Sequence, residues 1–235
     1  VDGSPLFTLF NDGNISVTGK ISYVDDPVDT QDAATKAYVD NLLLSFGVSI
    51  GSSGIQGLLN AGFSPSVIIN NGAPLTDFIG LNHAGGIIFY MDPSGNGQGL
   101  VAAEMDQSTG AQWGCYGIPI SGADRTAIGT GNQNTIDIET GCTTSGTAAD
   151  ICANLSLNGF TDWFLPSRDE LNEMYLKIGQ AATGANQNIG GFADSFYWSS
   201  SEFADNLAWR QRFIDGVQNV DVKGNFGHVR AIRAF

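Results

Sequence analysis

The sequence predicts an α+β fold of short twisted antiparallel strands and two main helices, preceded by a short stem of β-strands and a helix. Glycine accounts for 31 of the 235 residues, about twice its average share of roughly 7%, which predicts many tight turns between short strands. Two segments also carry helix-capping residues around an apolar face, and strand-length apolar runs flank them. A chain of this length can bury a sizeable core.

The stem comprises residues 1–46. Residues 1–28 alternate polar and apolar side chains around glycine turns, which predicts a β-rich segment. Residues 29–46 predict a helix, because an acidic first turn and several alanines precede an apolar stripe. Both segments are only marginally stable alone, so we expect the apolar stripe to form the contacts of a trimer. Packing of the stripe on the chain's own head is the alternative. The stripe consists of Val39, Leu42, Leu43 and Phe46.

Residues 47–82 connect the stem to the head. Glycine and serine dominate residues 47–54, which predicts a flexible linker. Two similar segments follow, each with a proline that can open a helical turn, at Pro65 and Pro74. We therefore expect two or three short helices that form a collar before a head of residues 83–235.

The head begins with two predicted strands, 85–91 and 99–105, joined by the turn DPSGNGQG. Residues 147–157 predict a helix capped by Thr147. Residues 167–179 predict the clearest helix, with a Ser167/Glu170 capping box and Gly179 at its end. Four further strands are predicted in the segments FYWSSS, AWRQRFI, GVQNVDV and HVRAIRAF.

The charge balance restricts the partners. The net charge is -14, and charged residues make up 14% of the chain against roughly 25% in an average domain. An acidic surface repels phosphates, which excludes nucleic acid and heparin-like polyanions but leaves neutral glycans, cationic surfaces and divalent cations. No apolar run is long enough to insert into a membrane. Because the chain starts at Val1 without a methionine, we expect it to be a fragment of a longer protein.

Three cysteines, Cys115, Cys142 and Cys152, permit three pairings with one thiol left over. Cys142 and Cys152 flank a short loop, so they are the candidate disulfide; three buried reduced cysteines are the alternative. Neither these cysteines nor His83 and His228 show the spacing of a zinc site.

The turn DPSGNGQG resembles a calcium loop, with Asp92, Ser94 and Asn96 at alternate positions before Gly97. Ala103 stands where such a loop requires a glutamate. A polar turn is therefore the favoured interpretation. Calcium stays a possible ligand, and no other cofactor is expected.

The run YWSSSE (197–202) raises the question of a serine nucleophile. No G-x-S-x-G elbow surrounds it, and no His–Asp pair is identifiable to activate a hydroxyl. Buried serines beside Trp198 would instead bond neighbouring backbone. With 24 acidic residues, a pair of carboxylates is no evidence for glycoside hydrolysis, so we do not expect an enzyme.

Basic residues gather at the end of the chain: six of the ten fall at Lys177 or beyond. They are interleaved with aromatic and amide side chains suited to sugar hydroxyls or a protein epitope. An ordinary sheet whose arginines pair with acids is the alternative. The candidate ligand-binding residues are Trp209, Arg210, Arg212, Asp215, Gln218, Asn219, Lys223 and Asn225.

Several motifs of the head resemble one bacterial family. NGFTDWFLPSRDELNEMY, YWSSSE, AWRQRFIDGVQ and VRAIRAF, together with the opening GGIIFYMD and GLVAAEMDQSTGAQWGCYG, resemble the C-terminal domain family of the Legionella collagen-like adhesin over about residues 83–235. The resemblance implies a fold similar to C-type lectins and formylglycine-generating enzymes, in which the two chain ends meet in one sheet. The calcium and sugar motifs of animal lectins and the catalytic cysteine pair have no counterpart here.

The stem resembles another group of proteins. GNISVTGKISYVDDPVDTQDAATKAYVD is similar to linker segments of trimeric fibres from phage tails and contractile injection systems, over about residues 13–44. The resemblance implies a homotrimer that displays three lectin-like heads and joins a baseplate or fibre shaft through its N-terminal part.

These observations lead to one expected function and two alternatives. We expect an extracellular receptor-binding or adhesion tip that recognises a glycan or protein on a target surface. The first alternative is a purely structural trimer cap or attachment knob of a larger particle. The second is a polysaccharide-active enzyme.

Overall fold

The structure of the protein is a computed structural model that describes the backbone of residues 7–9 and 15–17 and the whole of residues 51–235. The chain divides into two compact units, Val1–Phe46 and Gly47–Phe235. The α+β class is confirmed, because the second unit combines helices with two sheets. Among the described helices, none has both the length and the apolar character needed to cross a membrane.

The first unit contains a β-hairpin. Strand β1 (Phe7–Leu9) pairs antiparallel with β2 (Ile15–Val17). These strands agree with the β-rich segment predicted for residues 1–28. The helix predicted for residues 29–46 lies outside the described residues. So does its apolar stripe, Val39, Leu42, Leu43 and Phe46.

Three short helical segments open the second unit, as predicted for the collar. They are α1 (Ser52–Asn60), α2 (Pro65–Asn70) and a 3-10 helix (Leu75–Phe78). Ser64 caps α2 by accepting a hydrogen bond from the Val67 N–H at 3.4 Å, and Pro65 occupies the first turn, where its missing N–H is not needed.

The predicted boundary at residue 83 is wrong. Ile55, Leu59, Ile68 and Phe78 are buried and belong to the same hydrophobic core as the strands of the head. Residues 52–54, predicted as part of a flexible linker, form the first turn of α1. Their glycine and serine content favours a linker locally, but burial of the helix's apolar face stabilises it. The collar is therefore part of the head.

The first sheet of the head is antiparallel and has the strand order β11-β5-β4-β3. Its strands are β3 (Asn82–His83), β4 (Gly86–Met91), β5 (Gly99–Ala102) and β11 (Ile232–Ala234). Ala102 faces Ile232 on one side and Ile87 on the other. The first and last segments of the head thus share one sheet, with β5 between them.

The second sheet has five strands in the order β6-β10-β7-β8-β9. They are β6 (Ser108–Gln112), β7 (Phe196–Ala204), β8 (Leu207–Arg212), β9 (Gln218–Val222) and β10 (Phe226–Val229). The pairs are antiparallel except β10 with β7, which is parallel at His228 and Tyr197. The segment HVRAIRAF, predicted as one strand, divides at Arg230 and Ala231 into β10 and β11, which belong to different sheets.

Three helices accompany the sheets: α3 (Gly131–Gly141), α4 (Ala148–Ala153) and α5 (Arg168–Ile178). The predicted capping box of α5 is confirmed, with both of its hydrogen bonds formed and Gly179 at the end. Helix α4 is capped by Thr147 as predicted, but it ends at Ala153 rather than residue 157.

Helix α3 was not predicted. The two longest helices of the head are α3 and α5, whereas the sequence predicted the segments of α4 and α5 as the two main helices. Its sequence GNQNTIDIETG contains weak helix formers, and Thr130 provides no side-chain cap. The surrounding structure anchors it instead. The buried Glu170 carboxylate accepts a hydrogen bond from the Gly129 N–H at 2.8 Å, and Asn134 and Ile138 are buried.

The candidate disulfide Cys142–Cys152 is also wrong, because Cys142 bonds to Cys115 with a Cα–Cα distance of 5.7 Å. Cys115 follows β6 in a left-handed turn with φ 47°, and Cys142 ends α3. Cys152 is a free, fully buried residue of α4. Burial raises the pKa of its thiol, which makes it inert.

Candidate binding surface

A buried ion pair organises one end of the second sheet. Lys223, which follows β9, is fully buried and pairs with Glu202 of β7. The Lys223 ammonium also donates to the Ile118 carbonyl at 2.9 Å and lies 4.5 Å from the centre of the Trp113 ring. The Glu202 carboxylate accepts the Ile120 N–H at 2.9 Å. The charges are therefore paired and hydrogen-bonded, as burial requires.

Backbone hydrogen bonds attach a loop to this end of the sheet. The Gly114 N–H donates to the Lys223 carbonyl at 3.3 Å, and the Gly117 N–H donates to the Asp205 carbonyl at 3.0 Å. The disulfide from Cys115 links the same loop to the end of α3. The loop is thereby held by two backbone hydrogen bonds, by its contacts with the Glu202–Lys223 ion pair and by the disulfide bond.

Large apolar side chains are exposed on these joined segments. Tyr116 is 61% exposed, Phe203 57% and Phe226 69%. Aromatic side chains are the commonest anchors of protein interfaces, because they contribute a large contact area with few rotatable bonds. We refer to the exposed set as the aromatic edge; it consists of Tyr116, Ile118, Phe203, Val222 and Phe226.

The structure does not bring the predicted ligand-binding residues onto one surface. Strands β8 and β9 are paired in continuous register, with Trp209 opposite Val220 and Arg210 opposite Asn219. Successive side chains of a strand point to opposite faces, so Trp209 and Gln218 lie on one face and Arg210 and Asn219 on the other. Lys223 contradicts the prediction most directly, because its side chain is buried in the ion pair with Glu202.

Trp209 and Gln218 lie on the side of α5. The Arg168 guanidinium lies 5.1 Å from the centre of the Trp209 ring, and Phe203 meets that ring edge-to-face at 5.6 Å. The Gln218 amide donates to the Arg168 carbonyl at 3.0 Å. Trp209 is therefore adjacent to the aromatic edge through Phe203, whereas the Gln218 amide is used within the fold.

On the opposite face, Arg210 pairs with Asp221 and donates to the Asn219 amide oxygen at 3.1 Å. Its guanidinium also lies 3.8 Å from the centre of the Phe196 ring, and burial lowers its pKa. The Asn225 amide donates to Asp221 at 2.9 Å. These polar groups therefore largely satisfy one another.

The turn after β8 holds an ion pair between Arg212 and Asp215. The Arg212 hydrogen bond lowers the pKa of the Asp215 carboxyl. Both side chains are exposed by about 40% (41% and 39%). This pair is an accessible part of the predicted site, but its two charges neutralise each other.

Almost every lysine and arginine of residues 51–235 forms an ion pair. Residues 51–235 contain eight basic and 17 acidic residues. Lys177 is the one basic residue of this range without an ion pair to another described residue; the other seven all have a carboxylate partner. The alternative interpretation, arginines that pair with the domain's acids, thus describes the sheet better than a basic ligand surface does.

The candidate calcium loop forms a turn whose side chains bond its own backbone. The Asp92 carboxylate accepts the Ser94 N–H at 2.8 Å, and that hydrogen bond lowers the pKa of Asp92. The Asn96 amide oxygen accepts the Gln98 N–H at 2.8 Å. Both oxygens therefore bond the turn's own backbone. Within residues 51–235, no three His, Cys, Asp or Glu side chains are grouped as a metal site would require.

The three serines of YWSSSE are buried and bonded within the fold. Ser199 donates to the Trp209 carbonyl at 2.9 Å, and Ser201 donates to the Arg125 carbonyl at 2.7 Å. Ser200 accepts from the Asn134 amide at 3.3 Å. The prediction that these serines belong to the framework is confirmed.

Sequence reasoning missed the exposed aromatic residues Tyr116, Phe203 and Phe226. Each is a single aromatic residue next to turn-forming Gly, Asn or Asp, in the segments CYG, SEFADN and GNFGH. A side chain at the end of a strand or in a turn has few neighbours to cover it, so this pattern is a usable signal for exposed aromatics. The contacts that hold their segments, such as the Gly117–Asp205 hydrogen bond and the Cys115–Cys142 disulfide, are long-range and no short segment reveals them.

The comparisons with known proteins identify one family. The model of the Lcl C-terminal domain matches residues 103–233, which begin just after β5 and include the whole second sheet, helices α3, α4 and α5 and most of β11. No curated protein sequence matches the chain.

Proposed function

The chain belongs to the Lcl C-terminal domain family, and from that premise we propose that its head binds a target surface as the tip of an adhesive fibre. The family is adhesin-like, so a surface or extracellular location follows. A disulfide between Cys115 and Cys142 is typical of such an oxidising environment.

The aromatic edge is the observation that carries this proposal. Its side chains expose apolar area to solvent, while the disulfide and the Glu202–Lys223 ion pair hold the segments that bear them. Binding through a preorganised surface loses less conformational freedom than binding through a mobile loop. We propose that Tyr116, Phe203 and Phe226 are the anchors and that Trp209 extends the contact through Phe203.

The charges support a particular class of target. Acidic residues outnumber basic ones in the head, and nearly all of its cations are neutralised by a partner. Such a head would repel sulfated or phosphorylated polymers. The proposed target is therefore a protein or a neutral glycan on a cell surface.

The proposal concerns a binding protein rather than an enzyme. The hydroxyls of Ser199 and Ser201 are committed to backbone carbonyls, and Glu202 is committed to Lys223. None of the three is placed as a nucleophile beside a base.

Whole-cell and glycan-array binding by the full chain tests the proposal. We expect Tyr116→Ser, Phe203→Ser or Phe226→Ser to weaken binding about tenfold or more, as loss of an interface anchor does. Leu176→Ser is the matched control, because Leu176 is an apolar residue of α5 that is 43% exposed but lies outside the aromatic edge. Binding that survives all three substitutions, or falls equally in the control, would contradict the proposal.

We further propose that the stem assembles the chain into a homotrimer. Three joined heads would convert weak individual contacts into a much higher avidity, and the apolar stripe of residues 39–46 offers the contact surface. Mass measurement in solution should give a trimer for the full chain and a monomer for a chain that begins at residue 47. A trimeric head without the stem would instead favour the structural cap.

A further inference from the structure

A concave site that shares no residue with the aromatic edge lies between α3, α4 and the segment 161–163. Its volume is about 430 Å³, within the usual range of roughly 300–1,000 Å³ for small-molecule sites. Polar side chains with exposed positions, among them Asn132, Thr140 and Thr161, line it together with Glu139 and Trp163.

Two residues that line this pocket each carry a polar atom without a hydrogen-bond partner. The Trp163 indole N–H and the Glu139 Oε1 atom are both buried and unbonded. Trp163 as a whole is only 2% exposed. Buried donors and acceptors are nearly always satisfied in folded proteins, and the exceptions mark functional groups or sites for an absent molecule. The wall of this pocket therefore contains one residue with an unpaired donor and one with an unpaired acceptor.

The charges around the pocket restrict what could enter. Burial and, second, the nearby Asp150 carboxylate raise the pKa of Glu139, and Asp150 adds a second carboxylate close to Glu139. Asp162 also lines the pocket, although it pairs with Arg233. An anionic ligand would meet these carboxylates without a free cation to neutralise it.

We propose that this pocket binds a neutral sugar residue. The indole N–H of Trp163 would donate to one ligand hydroxyl, and Glu139 would accept a hydrogen bond from another. A sugar hydroxyl both donates and accepts, so adjacent hydroxyls satisfy both groups. An apolar ligand would leave both unpaired, and a simple ammonium would satisfy Glu139 but not the indole. The proposal does not depend on the aromatic edge.

NMR titration of the full chain with glucose, galactose, mannose and N-acetylglucosamine tests the proposal. We expect at least one of them to give saturable shifts in α3 and residues 161–163, with a millimolar Kd, as is typical of so small a ligand. Sialic acid and glucose 6-sulfate should give none. A glycan array then distinguishes a free sugar from the terminal residue of a longer glycan.

Two substitutions assign the binding to this pocket. Trp163→Phe removes the indole N–H but keeps an aromatic ring, and Glu139→Leu removes the acceptor oxygens. Each should weaken sugar binding about tenfold, the effect of one lost hydrogen bond, whereas Glu104→Leu, at an exposed carboxylate outside the pocket, should not. Glu139→Leu serves alone if Trp163→Phe does not fold.

Three results would overturn the proposal. The first is the absence of saturable shifts with every neutral sugar. The second is unchanged sugar affinity in the pocket variants, which would move the site elsewhere. The third is binding of the anionic sugars alone. Because Tyr116→Ser, Phe203→Ser and Phe226→Ser leave this pocket intact, failure of the sugar site and failure of the aromatic edge are separate outcomes.

Discussion

Lys223 illustrates what a local sequence cannot indicate. It stands in a polar segment, VDVKGN, next to a glycine turn, where a lysine is normally exposed. In the structure its ammonium is enclosed by Glu202, the Ile118 carbonyl and the Trp113 ring. Glu202 and Ile118 are distant from it in sequence, so no pattern around position 223 could predict the pair. The framework role of the serines of YWSSSE was predictable, because no G-x-S-x-G elbow surrounds them in the sequence.

Loss of one partner of this pair should be severe. Lys223→Met leaves the Glu202 carboxylate buried without its counter-charge, which typically costs about 3–5 kcal/mol. We expect the free energy of unfolding, measured by urea denaturation, to fall by that amount. Lys177→Met provides the control, because Lys177 is exposed and has no ion pair with a described residue, and it should change stability by less than about 0.5 kcal/mol. Equal effects of the two substitutions would show that the buried pair is not essential.

At the scale of single elements, capping chemistry separates what was predictable from what was not. Helix α5 carries its own start and stop signals in Ser167, Glu170 and Gly179, so its bounds follow from sequence. Helix α3 has no side-chain cap and begins with glycine. Its position depends on Glu170, which belongs to another helix. Elements defined by distant contacts are therefore the ones that sequence reasoning missed.

Two helical glycines give a paired prediction. A Cβ at Gly131 would lie 2.2 Å from the Glu170 Oε2 atom and 2.7 Å from the Ser167 backbone nitrogen, whereas a Cβ at Gly57 in α1 meets nothing within 4 Å. Gly57→Ala should therefore raise the free energy of unfolding by about 0.5–1 kcal/mol through helix propensity. Gly131→Ala should lower it, because the clash disturbs the capping box. Equal gains from both substitutions would mean that α3 does not approach Glu170 this closely.

At the scale of the whole molecule, the α+β class followed from the sequence, but the domain boundary and the order of the strands within each sheet did not. Glycine and serine indicate flexibility locally. Whether a helix is stable nevertheless depends on the core it meets, and Ile55 and Phe78 meet the core of the head. The aromatic edge has the same origin, since its residues belong to a loop and to strands that are far apart in the chain.

The boundary can be tested by shortening the chain. A chain that begins at residue 47 retains α1, α2 and the 3-10 helix and should unfold cooperatively on heating. A chain that begins at residue 83 loses buried Ile55, Ile68 and Phe78, each worth roughly 2–5 kcal/mol in a core, and should not fold. Circular dichroism and thermal denaturation distinguish the two chains. Equal thermal stability of the two chains would show that the head begins near residue 83, as the sequence predicted.

The passage of the chain from β10 to β11 has a consequence for synthesis. Residues 226–234 supply a central strand to one sheet and an edge strand to the other, and Arg230 between them binds the Asp106 carboxylate. Strand β6 has no partner in its sheet until the ribosome has released this segment, because β10 is its one neighbour there. A message truncated shortly before it would therefore yield a head with one sheet interrupted and the other without its edge strand. Only chains translated through β11 could complete both sheets.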